Sequence, residues 1–372
     1  ILFLGAHGFQ NTCFVKWPTY TKRIIISNYV SRGFASWDWN QFQMDVLCLM
    51  GSLCFKLDAI SYVIAVEEIA AVELATSTIM SVNNSLVCQV LLDWGNDLQK
   101  AQYLKPLASG AKLGAYSLSE PQSGSDASNM RTYAEKNGDQ FIINGVKNWV
   151  TSGENSDFII FFCKTEKGVG SKGISAFIIE KGTPGLTVGK KENKLGIRAS
   201  DTCELYFDDC KIPEKNLIGS LGQGFSIAMK ALGGGRIGIA AQSIGLARSA
   251  LEKAISYSKD REQFGQSISK FGAIQNKVAD MATNIDAARL LVWKAAIKKD
   301  QGKDFSKESS MAKLFASTTA MTAATDCVQI HGGYGYMQEY GVERLMRDAK
   351  ITEIYEGTSE IQKLVISREL LK

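Results

Sequence analysis

Ile274-Gln-Asn-Lys-Val-Ala-Asp-Met-Ala-Thr-Asn-Ile-Asp-Ala-Ala-Arg-Leu-Leu-Val-Trp-Lys-Ala295 places Ile274, Val278, Met281, Ile285, Ala288, Val292 and Ala295 at alternating steps of four and three. That spacing is the a/d seam of a helix packed in a bundle. Downstream, Met311, Leu314, Phe315, Thr318, Met321 and Val328 form a second stripe, read here as core. Upstream the pattern shortens, and residues 113 to about 218 read as strands. Asn137-Gly138 is the expected turn between Arg131–Lys136 and Gln140–Asn144, since both residues tolerate positive φ. Further β runs are Phe158–Cys163, Ile174–Ile179, Gly185–Val188 and Cys203–Phe207, and Pro213 closes the block. Ahead of them Ile60, Val63, Ile64, Glu67, Glu68 and Ile69 mark one helix and Met80–Trp94 another, before Lys105-Pro-Leu-Ala-Ser-Gly110. The fold class is therefore α+β and multidomain. A helical N-terminal domain is expected over 1–112, a middle β-sheet domain over 113–219 and a C-terminal helical bundle over 220–372. Residues 1–56 are atypical, because Trp17, Trp37, Trp39, Cys48, Met50 and Cys54 follow no clean period.

Composition narrows the chemistry. The net charge of +4 is too small to imply nucleic acid, and the basic cluster Lys190, Lys191, Lys194 and Arg198 is interrupted by Glu192, as in a solvated hairpin. No apolar run approaches the ~20 residues needed to cross a bilayer. Ile1-Leu-Phe-Leu-Gly5 lacks the basic flank of a signal peptide and is not a natural start. The eight cysteines form no C-x-x-C pair, which leaves a zinc ribbon or thioredoxin-type site unsupported, and most sit among apolar neighbours and read as buried free thiols of a reducing compartment. With only His7 and His331, a His-rich metal site or a Ser-His-Asp hydrolase is improbable, and no metal is expected. Chemistry must then rest on carboxylates or on a bound cofactor.

One carboxylate stands out. Glu356 lies between Tyr355 and Gly357, and Thr358 and Ser359 follow at once. The Thr358 and Ser359 hydroxyls, with Gln362 three places after Ser359, read as a capping box opening a last helix, whose apolar face is Ile361, Leu364, Val365 and Leu371. A loop carboxylate beside a glycine, at a helix start that favours anions, suits a general base. A plain first-turn surface acid explains the same residues.

Other segments are ambiguous singly. Gly233-Gly-Gly-Arg-Ile-Gly238 matches G-x-G-x-x-G, but no strand precedes it and it lies in a helical stretch. Arg236 there is a fixed cation among small residues. Ser117-Leu-Ser-Glu-Pro-Gln-Ser-Gly-Ser-Asp126 is either a phosphate-holding loop or an ordinary turn. Trp149-Val-Thr151 ends a strand with a flat ring that flanks a planar cofactor or fills a core. Gln329-Ile-His-Gly-Gly-Tyr-Gly-Tyr336 ends a long helix in glycines, and Glu339, Arg344, Arg347 and Asp348 follow at intervals suited to an ion-pair network.

Taken in order, Ser119–Asp126, Trp149-Val-Thr151, Arg261-Glu-Gln-Phe-Gly265, Gln329–Asp348 and Tyr355–Gln362 resemble the acyl-CoA dehydrogenase family from about residue 57 to 372. Ile351–Gln362, Ser81-Val-Asn-Asn-Ser85 and Lys191–Arg198 are most similar to its short-chain, butyryl-CoA branch. The resemblance implies a four-helix C-terminal bundle, a homotetramer, FAD, an acyl-CoA substrate and an electron-transferring flavoprotein as partner. It implies dehydrogenation of short acyl-CoA to trans-2-enoyl-CoA in fatty acid β-oxidation. Glu356 is the implied base. Tyr116, Leu118, Ser119, Ser125, Trp149, Val150 and Thr151 would line the flavin, with Ser125 also on the substrate side. Arg261, Phe264, Gln329, Ile330, Gly332 and Gly333 would reach FAD from a neighbouring subunit, and Thr358, Ser359 and Glu360 from the last helix start. Gly233, Gly235, Arg236, Tyr355 and Gly357 would contact acyl-CoA.

The chain departs from the family pattern in three places. Residues 1–56 do not resemble the opening helices, and the loop before Leu57 is shortened. Gly233 replaces an Asp that helps hold the CoA arm, and Gly272 a Gln that reaches FAD across the dimer. Alternative readings are an acyl-CoA oxidase and a non-catalytic flavin-binding relative. The expected compartment is the mitochondrial matrix in a eukaryote and the cytoplasm in a bacterium.

Overall fold

The computed structural model describes residues 58–372, so every expectation placed on residues 1–56 lies outside the described residues. Helix α1 (Ala59–Val72) begins where the Asp58 carboxylate accepts the Ser61 N–H at 2.8 Å. The expected Met80–Trp94 helix is three joined pieces: α2 (Leu74–Ser81), π-helical turns over Val82–Cys88, and α3 (Gln89–Trp94). Such wide turns often mark functional positions. Short helices α4 (Asp97–Gln99) and α5 (Lys105–Ala108) complete the region.

Eight strands follow: β1 (Gly114–Ser117), β2 (Tyr133–Asn137), β3 (Gln140–Thr151), β4 (Phe158–Lys164), β5 (Ile174–Glu180), β6 (Leu186–Lys191), β7 (Thr202–Pro213) and β8 (Leu217–Ile218). Their order is β6-β7-β3-β2-β4-β5-β8, with β1 parallel beside β4. Asn137 pairs with Gln140, so the turn centre is Gly138-Asp139, one residue later than the sequence implied. Only Gly138 of that pair takes positive φ. Strand β4 reads as an unbroken apolar run because both its faces are covered. Ile160 and Phe162 meet Leu86, Leu91, Leu107 and Ile227, while Ile159 and Phe161 meet Phe141, Phe177, Leu205 and Phe207.

The rest is helical: α6 (Gly224–Asp260), α7 (Gly272–Asp300), α8 (Ser306–His331), α9 (Val342–Thr352) and α10 (Ser359–Leu370). A two-stranded hairpin, β9 (Glu262–Gln263) and β10 (Gln266–Ser267), joins α6 to α7. The α7 seam behaves as read: Met281, Ile285, Ala288, Val292 and Ala295 are buried, with Ile274 and Val278 packed partly against them. The stripe on α8 does so only in part, with Met321 and Val328 packed partly against this core. Met311, Phe315 and Thr318 are exposed, and the inward face is Ala312, Ala316, Ala320, Ala323, Ala324 and Cys327. Small residues let α8 lie close to α6, so the larger apolar side chains were pushed to the outer face. Helix α1 shares this largest core with α6, α7 and α8. Gly245 permits the approach, since a Cβ there would stand 2.3 Å from the Glu67 carbonyl. Buried Glu67 and Glu68 then pair with Arg289 and Arg248 across the same seam, at 2.9 and 2.7 Å.

Two local expectations are corrected. Of the two capping hydroxyls Thr358 is the one that caps α10, accepting the Ile361 N–H, and the Gln362 amide, instead of closing a capping box, donates to the carbonyls of Glu356 and Gly357. On that helix Val365 is buried, whereas Leu364 and Leu371 are exposed. The expected ion-pair network divides. Arg347 pairs with Glu343 at 2.7 Å, while buried Asp348 accepts the Ile197 N–H at 2.6 Å and pins the loop after β6. The five described cysteines are buried, and Cys163, Cys203, Cys210 and Cys327 are free thiols.

Candidate active site

Glu356 is presented by backbone rather than by helix. Its φ of 52° and that of Gly357, 95°, form a left-handed pair between α9 and α10. For a residue with a Cβ this conformation costs about 1–2 kcal/mol, which the surroundings must hold in place. They do so through the Gly357 carbonyl, which accepts from Lys313 Nζ at 2.8 Å and Gln362 Nε2 at 2.7 Å.

The carboxylate lies against α6. A Cβ on Gly235 would stand 2.0 Å from Glu356 Oε2, so only glycine leaves room for it. Oε2 is buried without a hydrogen-bond partner. Burial pushes the Glu356 carboxyl up to about 7, against the opposing pull of Lys313 and Arg236. Arg236 is buried, bonds Ser310 Oγ at 3.3 Å and leaves Nε unsatisfied. The Tyr116 hydroxyl is also orphaned, and its pKa is raised by burial and then by the Glu356 charge. Tyr355 is anchored away from this space: its hydroxyl donates to Gln242 Oε1 at 2.8 Å, and Gln242 in turn bonds Ser77 and Thr78. Three orphaned polar atoms in one pocket, the carboxylate's own among them, are what a ligand-binding site requires, since such groups are otherwise paired.

A second group forms along the sheet edge. The pairing of β3 with β7 slips between Lys147 and Val150, which marks a bulge. Bulges re-aim side chains. Here Lys147 points inward with no exposure, Val150 is buried, and Trp149, at φ 60°, turns its indole outward with 63% exposure. Trp149 is thus not core. Thr151 beside it is half-buried. Beneath, Lys147 bonds Glu120 at 2.8 Å and the Leu118 carbonyl at 3.0 Å, while Asn148 N–H meets the Ser119 carbonyl at 2.9 Å. The loop bearing Leu118, Ser119 and exposed Ser125 is therefore fixed to the strand bearing Trp149.

The third group stands apart from Glu356. Tyr257, Arg261, Ile268, Ile330, Gly332, Gly333, Tyr334 and Met337 belong to the lining of an open cleft of about 540 Å³ at the ends of α6 and α8. Phe264, on the nearby β9–β10 turn, is 93% exposed at φ 52°. Gln329 and Glu360 are exposed, and Gly233 is half-buried with space beside it. Among the described residues no cluster of three metal-ligating side chains occurs, and no helix is long and apolar enough to cross a membrane. Sequence reasoning passed over Lys313 and the Lys147–Glu120 pair. A lysine among the serines and alanines of Ser309–Ala316 was a signal for the former.

Models of the acyl-CoA dehydrogenase N-terminal, middle and C-terminal domains match residues 50–111, 115–210 and 222–371. This chain belongs to the acyl-CoA dehydrogenase family. It is 50% identical to the mitochondrial short-chain specific acyl-CoA dehydrogenase of Mus musculus over 316 residues, 85% of this chain and 77% of that one. The solved butyryl-CoA dehydrogenase of Megasphaera elsdenii superposes with a TM-score of 0.91 at 43% identity, covering 95% of this chain and 98% of that one. A chain in the structure described as the electron transferring flavoprotein of Acidaminococcus fermentans gives 0.92 at 45% identity, covering 95% and 97%. The family is one of flavoproteins, and two features of this chain fit a planar flavin: the outward Trp149 indole and the orphaned Tyr116 hydroxyl.

Proposed function

We propose that this chain is an acyl-CoA dehydrogenase of the short-chain type in which Glu356 is the base that removes the α proton. The carrying observation is the buried, unpartnered Oε2 of a carboxyl held at about 7, where a base is half ready at neutral pH. The α C–H bond breaks toward Oε2, its electron pair becomes the new C=C bond, and the β hydrogen departs as hydride. FAD, when bound, supplies the acceptor for that hydride. The left-handed backbone offers the Glu356 N–H to the thioester carbonyl, where negative charge grows. Gly235 and Gly357 leave space for the substrate, and Arg236 adds a fixed positive field. Tyr116, Leu118, Ser119, Ser125, Trp149, Val150 and Thr151 would hold the flavin ring. Thr358, Ser359 and Glu360 would lie beside it.

The open cleft suits a ligand part that a second copy completes. Arg261, Phe264, Gln329, Ile330, Gly332 and Gly333 would then serve FAD of the neighbouring subunit in a homotetramer. The outward faces of Met311, Phe315, Leu290, Ile297 and Leu364 are apolar surface such an assembly would cover. The same reading divides the chain at about 112 and 219. Its electrons would pass to an electron-transferring flavoprotein, in the mitochondrial matrix of a eukaryote or the cytoplasm of a bacterium.

Anaerobic addition of butyryl-CoA to the purified flavoprotein tests the reading. Bleaching of the flavin that survives admission of air is expected, whereas rapid reoxidation would indicate an oxidase. No bleaching would overturn the assignment.

A further inference from the structure

Lys313 lies in α8 with no exposure at all, and its described hydrogen bond goes to one backbone carbonyl, that of Gly357, at 2.8 Å. A buried ammonium is an expensive brace. Removing it from water is repaid only by close charges and several hydrogen bonds, and an apolar side chain of the same length often does as well or better. The amide of Gln362 already holds the same carbonyl at 2.7 Å. Bracing alone therefore does not account for a positive charge at this place.

The charge has a direction. Within reach of its field are Glu356 from the loop, Arg236 from α6, Glu353 from the end of α9 and Glu360 from α10. The Glu356 carboxylate is in turn faced by Lys313, Arg236 and the neutral hydroxyl of Tyr116 on β1. Burial pushes the ammonium down to about 8, so it is still charged at neutral pH. Arg236 cannot be discharged, whereas Lys313 titrates close to the range in which Glu356 does.

We propose that Lys313 is a positioning residue for the base: its ammonium fixes the Glu356–Gly357 loop from below and favours the charged, proton-accepting form of Glu356. This rests on the reading of Glu356 as base. Burial alone would leave that carboxyl protonated at neutral pH and unable to act, and the ammonium opposes burial without touching the substrate. The hydrogen bond to the Gly357 carbonyl places the charge against the backbone one residue from the base. The same bond makes the placement of Glu356 and its ionisation depend on a single side chain.

The test is the pH dependence of kcat with butyryl-CoA, for flavin-loaded wild type, Lys313→Arg, Lys313→Gln and Lys313→Met. The two neutral variants should move the acidic limb upward by about one unit, the lower range for loss of an adjacent opposite charge. Below that limb they should lose about tenfold in rate relative to wild type, and most of this should return at alkaline pH. Lys313→Arg should keep the limb near its original place. Limbs of the neutral variants that superimpose on wild type after scaling would overturn the proposal, leaving only a brace. Failure of both neutral variants to retain flavin, with Lys313→Arg intact, would equally make the lysine structural and overturn it. Glu356→Gln, measured alongside, separates the two readings: near-normal turnover there refutes the base itself, whatever Lys313 does.

Discussion

The pocket around Glu356 and the cleft around Arg261 are built on different terms. The first draws on β1, α6, α8 and the α9–α10 loop, and its polar groups are buried, partly orphaned and shifted in pKa. The second is open, lined by exposed glycines and aromatic rings, and flanked by a Phe264 that is 93% exposed. Arg261 contributes a cation–π contact with Tyr334, at 5.5 Å to the ring centroid, instead of a buried ion pair. On the proposed reading the first is the site of proton abstraction, which must exclude water and fix one atom, and a single chain supplies its groups. On the same reading the second takes the remote part of a cofactor, which needs only shape and charge, so that a second copy could supply the missing wall.

That contrast can be broken at its strongest point. Glu356→Gln should cut dehydrogenation by about 10²–10⁴-fold, the range for a general base, with flavin retained. Steady-state turnover beside the visible flavin spectrum would decide, and a variant turning over normally would move the chemistry elsewhere. Next in size is Gly235→Ala. Its Cβ would meet Oε2 at 2.0 Å and force the carboxylate aside, and a shift of about 1 Å can cost about 10²-fold. Alanine favours the helix, but its Cβ would also stand 3.0 Å from Leu86 Cδ2, so melting temperature should change far less than kcat falls. An unchanged kcat would mean the carboxylate has a second productive position.

The pH profile sharpens the same side. The base works only when deprotonated, so kcat should rise with pH along a limb centred near 7 and fall about tenfold per unit below it. A limb near 4.5, the ordinary carboxyl value, would show that burial is relieved when substrate binds. On the cleft side effects should be smaller. Arg261→Gln removes one charged contact, worth about 1.5–3 kcal/mol, and should weaken FAD by roughly 10–10²-fold with little change in kcat at saturating cofactor. Titration of apoprotein with FAD measures this, and an unaltered affinity would detach the cleft from the cofactor. Smallest is Gly272→Gln. Position 272 opens α7, and nothing lies within 4 Å of where a Cβ would stand, so the longer side chain fits and should tighten FAD by about tenfold at most. Unchanged retention on dilution would mean that other contacts have replaced it.

Sequence by itself determined the α7 seam, the order of helices, sheet and bundle, and the presence of a loop carboxylate before a last helix. These follow from periodicity and local capping chemistry, which a single segment carries with it. It pointed at Glu356 without separating a base from a surface acid, because burial is not a property of one segment. Tertiary structure supplied the burial, leaving Oε2 enclosed and unpartnered. It set Gly235 against Oε2, resolved the ambiguity of Trp149 through a bulge, and brought Lys313 beneath the Gly357 carbonyl across 44 positions of sequence. It also changed the reading of α8 in part: Met311 and Phe315 face outward, Met321 and Val328 pack only partly inward, and alanines form most of the buried face. Apolar size marks what can be buried, but the distance between neighbouring helices decides which face is, and no stretch of sequence holds that distance alone.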